Sequence, residues 1–235
     1  MGILQLYPPL SYYKKIEPQA FAPGQFCRIV TPFIAPVPQI LDVERKSPEE
    51  HTEIKFILRN ANRQEDFASR DRTLPIKNLE LRSEEELLIQ RAKKRPGIIL
   101  CSEVDLFPEI DKLLRQKGKK HCQEDSVFVV PSYHAETAED PSGVPIEIIK
   151  RCRCLIYRQF FYLAKGPQLK EGIARFDRIQ VICGRDRSAI EPLDFSLSEE
   201  LFAIFRALFI FCLTGIQDGD LEALRKLTRE TYPQL

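Results

Sequence analysis

The segment Leu197–Gly215, LSEELFAIFRALFIFCLTG, restricts the fold more than any other stretch of the chain. It is apolar almost all round, so a helix formed there must be buried on more than one side, in a core or a subunit interface. Arg206 interrupts the apolar run and Glu199 and Glu200 precede it, which makes it too short and too charged for a membrane span. Ser196 and Glu199 have the spacing of a capping box at its start, and Gly215 is a natural stop. Most of what precedes this helix reads as strand. The expected class is therefore α+β, with a compact β core.

The chain has 235 residues, enough for one large domain or two small ones. QFCRIVTPF, after a Pro23-Gly24 turn, alternates Phe26, Arg28 and Val30 on one face with Cys27, Ile29 and Thr31 on the other. Ile54–Leu58, the run GIIL at 97–100 and Ser126–Tyr133 are further strand candidates. Residues 148–165 hold the most aromatic strand material. Residues 1–20 read as an extended arm, because Pro8 and Pro9 exclude a helix. Apart from Ile54–Leu58, the charged stretch 42–72 reads as a solvated insertion. Ser83 and Glu86 form a capping box that opens a helix running to Lys94. Asp105–Arg115 and Asp220–Arg229 are expected to be short helices.

Charge and cysteine usage narrow the function classes. Lys and Arg total 35 against 34 Asp and Glu, so nucleic-acid binding requires a local patch. Seven scattered Cys, and a start without a secretory pattern, read as reduced thiols in a cytoplasmic protein. His121, Cys122, Cys152 and Cys154 lack metal-ligand spacing, and neither a metal nor a cofactor is expected. Cys152 and Cys154 are expected to share one strand face.

Chemistry is most legible in Gly172–Val181, GIARFDRIQV. Read as one strand, it projects Arg175 and Asp177 to the same side. A guanidinium beside a carboxylate can bind a phosphate and move a proton, although the same spacing also describes a surface ion pair. His134, just past Val127–Val130, is a candidate acid or a loop histidine. Tyr133 can stack a base or pack on the core. Tyr157, Phe160, Phe161 and Tyr162, with Arg158, form a base-stacking platform or core material. The run KGKKH at 117–121 can steer phosphates or form a solvated turn.

Four motifs, in order, resemble the MazF/PemK-like family of toxin ribonucleases. PGQFCRIVTPF resembles the family's first strand. KKRPGIIL, Lys93–Leu100, resembles its R-P-x-[IVL]-[IVL] strand, and VFVVPSY, Val127–Tyr133, its strand ending in P-[LVI]-[ST]. GIARFDRIQVI followed by the apolar helix resembles its R-x-D-Q-x-R-T strand and terminal helix. About half of the chain is covered.

The resemblance implies an SH3-like β-barrel over 21–215, with a C-terminal helix and helical insertions at 42–92 and 103–122, between an arm at 1–20 and an extension at 216–235. It also implies metal-independent cleavage of RNA by 2′-OH attack, a homodimer, and silencing by an antitoxin protein. Arg175 and Asp177 fall on the catalytic arginine and aspartate, and Arg95 on an arginine of the RNA-binding surface. Ser132, Tyr133 and Arg178 are the other RNA-binding candidates. Three positions depart from the pattern. The glutamine after the aspartate is Arg178, the next arginine is Gln180, and the hydroxyl residue two after Pro131 is Tyr133. These departures keep open a non-catalytic SH3-like module that binds nucleic acid or a peptide.

Overall fold

A computed structural model describes residues 2–33, 37–45, 54–66, 85, 87–101, 108–118, 126–166, 168–183 and 189–230. The chain is α+β, as its sequence leads one to expect, and its sheets are mostly antiparallel. It divides into two compact units. One comprises Met1–Thr31 and Lys94–Leu235, the other Pro32–Lys93.

The larger unit is built on eight strands. These are β1 (Tyr13–Lys15), β2 (Gln25–Pro32), β6 (Ala92–Cys101), β7 (Ser126–His134), β8 (Phe160–Leu163), β9 (Gly172–Arg175), β10 (Gln180–Cys183) and β11 (Ile190–Leu197). They lie in the order β1-β11-β2-β6-β7-β9-β8, with β10 added to β7. Among the described strands this order is open, and no ring of hydrogen bonds closes it into a barrel. Side chains nevertheless join its two ends. The Tyr12 hydroxyl donates to the Tyr162 carbonyl (2.5 Å), and the Tyr13 hydroxyl to that of Ala164 (2.5 Å).

Both faces of the central strands are covered. Val130, Ile98 and Phe26 face a large core shared with the helices, whereas Val129, Ile99, Cys27 and Ile29 face a smaller one. In β2 the expected alternation holds for Arg28 and Val30, which are exposed, against buried Cys27, Ile29 and Thr31. Phe26 is buried as well, because β2 has core on both sides. Where β11 slips register against β2 between Pro192 and Ser196, buried Gln25 fills the irregularity. Its Nε2 donates to the carbonyls of Leu193 and Pro18 (both 2.8 Å), and its Oε1 accepts from the Ala22 amide. A buried amide so completely paired avoids the penalty of desolvated polar atoms.

Helix α6 (Glu199–Thr214) lies on the large core through Leu201, Phe205 and Leu208. Its N-cap is Ser198, whose Oγ accepts from the Leu201 amide, and not Ser196. Ser196 is held in β11 opposite Lys14, so sheet pairing takes the chain two residues further before the helix begins. Gly215 ends the helix in the left-handed region (φ 72°), where a side chain would be strained. Helix α7 (Gly219–Glu230) follows, close to the expected bounds. A cleft of about 310 Å³ lies beside Tyr7, Ile204, Ala207, Leu221 and Leu224. Its Asp218 is engaged in capping α7, through the Leu221 amide.

Three local expectations are corrected. Residues 3–6 and 9–12 form helical turns α1 (Ile3–Leu6) and α2 (Pro9–Tyr12), in place of an extended arm. Pro9 occupies the first helical position, where its missing N–H is harmless, and Ile3 and Tyr12 are fully buried. Residues 146–153 form helix α5 (Ile146–Arg153) instead of strand, with Ile149 and Cys152 on its buried side. Cys152 and Cys154 therefore share no strand face, and burial pushes the Cys152 thiol up to about 12. The helix expected from Ser83 to Lys94 is absent at Leu88–Ile89 and Ala92–Lys94, which are strand; Ser83 and Glu86 lie outside the described residues. Pairing of Ile89 and Leu88 with Gln39 and Ile40 overrides the local helix propensity.

The smaller unit is a three-stranded sheet in the order β4-β3-β5, from β3 (Gln39–Arg45), β4 (Ile54–Asn60) and β5 (Leu88–Ile89), with the helical turn α3 (Arg63–Asp66). Arg59 binds Asp42 and Asp66 together, which ties β4 to β3 and to α3. Of the helix expected over 105–115, the described part is helical as α4 (Pro108–Gln116). The expected solvated stretch 42–72 is also corrected, at residues 42–45, which are strand within β3, and at Arg63–Asp66, a helical turn, because pairing with β4 and the Arg59 ion pairs order them. Residues 46–53 and 67–72, like His121 and Cys122, lie outside the described residues.

Candidate functional site

Gly172–Val181 is not one strand. β9 stops at Arg175, Phe176–Arg178 make a 3-10 turn, and β10 starts at Gln180. Phe176 explains the break. Its ring packs on Phe205 (4.9 Å) and Phe209 (5.4 Å) of α6, and its amide donates to the Gln159 carbonyl (3.0 Å). Burying that ring turns the chain into the core and leaves Arg175 and Asp177 on either side of it, at the surface.

The two charged residues meet despite the break. Arg175 Nε donates to Asp177 Oδ1 (3.1 Å) and Nη2 to Oδ2 (2.5 Å), a bidentate fork. Arg178 Nε is 3.6 Å from the same carboxylate. Partial burial pushes the Asp177 carboxyl up, but the hydrogen bonds and charge of Arg175 and the charge of Arg178 together hold it below the ordinary carboxylate value. The hydrogen bonds to Asp177 in turn raise Arg175 above an already high value. Asp177 is thus a weakened base, and Arg175 keeps its proton.

β6 and β7 supply the remainder. Gly97 pairs with Pro131, and two residues further along this register Arg95 comes opposite Tyr133. The Arg95 guanidinium sits 4.4 Å from the Tyr133 ring centroid. Tyr133 also pairs with Ile173 of β9, which brings Arg175 diagonally across from it, 5.3 Å from the same ring. Arg175 in addition lies 5.4 Å from the ring of Phe160, its partner on β8. Two guanidiniums share one tyrosine, each contact contributing about 1 kcal/mol. The close approach of β9 to β7 depends on Gly172, where a Cβ would drive into the Tyr133 carbonyl.

Arg95, Tyr133, Arg175, Asp177 and Arg178 are therefore brought together, Asp177 exposed and the other four half-buried. Ser132 and His134 are not in this group. Strand alternation sends them away from Tyr133. Ser132 is buried and donates to the Pro96 carbonyl (3.0 Å). His134, the last residue of β7, has its Nε2 2.8 Å from Oδ2 of Asp140 in the loop that follows. Ser132, expected to bind RNA, and His134, expected as an acid, thus lie on the other face of β7 from Tyr133. Gln180, at the family's second arginine position, uses its amide to hold the carbonyl of Arg178 (3.0 Å), which steadies the 3-10 turn.

The aromatic platform divides. Phe161 and Tyr162 are core, and the Tyr162 hydroxyl donates to Glu171 (2.8 Å), which Arg153 also binds. Phe160 and Tyr157 reach the surface, with ring centroids 5.8 Å apart. Arg158 turns toward Gly215 at the carboxyl end of α6, where a cation is favoured. Sequence reasoning missed Arg151, because a strand reading of 148–165 hides it. The signal was present in the helical spacing of Ile149 and Cys152 and in the pattern of Glu147 first, Lys150, Arg151 and Arg153 last.

No group of His, Cys, Asp and Glu among the described residues has the arrangement to hold a metal ion. Among the described residues, no helix is long and apolar enough to cross a membrane. No protein family, curated protein or solved structure matches this chain.

Proposed function

We propose that the chain is an RNA-binding module that holds RNA on the Arg95–Tyr133–Arg175 surface without cutting it. The observation that carries this reading is the pair of guanidiniums fixed on the Tyr133 ring. Guanidiniums grip phosphate oxygens, and their planes, like aromatic rings, stack bases. Against catalysis stand the lowered carboxyl of Asp177 and the placement of His134 on the opposite strand face from Tyr133, with its Nε2 beside Asp140. The proposal includes the finer fold reading, a divergent SH3-like barrel. It is supported by the tyrosine bonds across the open sheet ends and by the helix directly after the last strand.

A second reading keeps the ribonuclease. It is favoured by the Arg175–Asp177 contact, the pair that the family resemblance requires, and it brings with it the homodimer and the antitoxin partner. Incubating the native protein with mixed-sequence RNA in chelator, beside Arg175→Ala and Asp177→Asn, separates the two. The binding reading expects RNA retained intact by the native protein. It also expects roughly tenfold or weaker retention by Arg175→Ala, and undiminished retention by Asp177→Asn, which removes a charge repelled by phosphate. Cleavage leaving 2′,3′-cyclic phosphate ends, lost in Asp177→Asn, establishes the ribonuclease instead.

A further inference from the structure

We propose that the RNA surface continues past Phe160 to an outer subsite made by Tyr157 and Arg151, which takes a neighbouring nucleotide of the same strand. This rests on the RNA-binding reading above and adds a site to it.

The geometry runs without a gap. From Arg95 to Tyr133 is 4.4 Å, Tyr133 to Arg175 5.3 Å, and Arg175 to Phe160 5.4 Å. Phe160 meets the Tyr157 ring edge-on at 5.8 Å and 67°, and the Arg151 Nη1 donates to the Tyr157 hydroxyl (3.1 Å). Guanidiniums and rings thus follow one another from β6 across the sheet to the end of α5. A nucleotide offers a flat base and an anionic phosphate, and the outer pair offers a ring and a guanidinium.

The outer pair is also preorganised. The chain between α5 and β8 passes through Leu155 in the left-handed region (φ 51°). Arg225 of α7 holds that turn, with Nε donating to the Leu155 carbonyl (2.9 Å) and Nη2 to that of Ile156 (3.2 Å). Thr228 adds a bond to the Cys154 carbonyl (3.0 Å). Tyr157 therefore leaves a braced turn, and its ring is positioned before any ligand arrives, which reduces the ordering entropy lost on binding.

The test measures binding of two mixed-sequence RNAs, of about three and about nine nucleotides, by fluorescence anisotropy, since single-strand sites span several nucleotides. For the longer RNA, Tyr157→Ala is expected to weaken binding roughly tenfold, the loss of one stacked base, while the shorter RNA changes by less than about twofold. Arg151→Gln is expected to flatten the slope of log affinity against log salt by about 0.7, one phosphate contact fewer on a single strand. Lys226→Ala, an exposed cation elsewhere on α7, controls for general charge and is expected to change neither RNA. If Tyr157→Ala fails to fold, Tyr157→Leu and Arg151→Gln decide. Native affinity and salt slope in these variants, with both RNAs weakened by Arg175→Ala, overturn the outer subsite and leave the RNA-binding reading standing. Failure of the native protein to bind either RNA overturns both.

Discussion

Asp177 shows how neighbours redefine a side chain that sequence alone marks as a base. With Arg175 forked onto it and Arg178 beside it, its carboxyl titrates below the ordinary range. A carboxyl whose folded value is depressed adds stability above its unfolded value, near pH 4, and loses it as the pH falls toward the folded value. The native protein is thus expected to lose part of its stability below about pH 4 through this group. Asp177→Asn removes that contribution, so its melting temperature is expected to fall less steeply than the native one between neutral and acid pH. Parallel acid limbs for the two proteins refute this account of the ion pair. The same reasoning limits Arg175: a guanidinium whose charged form is favoured by a bonded carboxylate stabilises anions and donates no proton.

Among the elements, α6 carries the site without contributing a side chain to it. Phe205 is fully buried against Phe161 (5.2 Å) and Phe176 (4.9 Å), the ring that bends the chain at Asp177. Phe205→Ala is expected to cost about 3–5 kcal/mol of stability in urea unfolding. It is also expected to weaken RNA retention even where the protein remains folded, because the 3-10 turn loses its anchor. This helix and its glycine stop were legible in the sequence, since a long apolar run followed by glycine admits few other readings. The strands at 25–32, 97–101 and 126–134 were legible for a similar reason, in their β-branched runs. The pair Arg175 and Asp177 was found on a premise the structure replaces: they meet across a turn that Phe176 forms, not along one strand face. Other elements were hidden by competition. Leu88–Ile89 follows a strong helix start but joins β3, and Ile146–Arg153 has strand-forming isoleucines but folds as helix against the core. Ser132 and His134 look alike to Tyr133 in sequence, and only the pleat separates them.

On the scale of the whole molecule, the chain leaves the larger unit after Thr31 of β2 and re-enters it at Lys94 of β6, and these strands are neighbours in the sheet. Replacing Pro32–Lys93 by a short turn is therefore expected to leave the larger unit folded, with the Arg95–Tyr133–Arg175 surface intact. Cooperative melting and retained RNA binding in the shortened protein are the expected results. Loss of a cooperative transition indicates that the larger unit needs the smaller one to fold. The tyrosine bonds at the sheet ends bear on when the protein can exist at all. β1 pairs with β11, residue 13 with residue 197, and Tyr12 and Tyr13 bond to carbonyls 150 and 151 residues away. During synthesis β1 waits for β11 while about 180 intervening residues are made, roughly 10–40 s at ordinary rates of elongation. β1 is thus made long before the strand it pairs with, and in a chain terminated before β11 none of the other described strands takes that place.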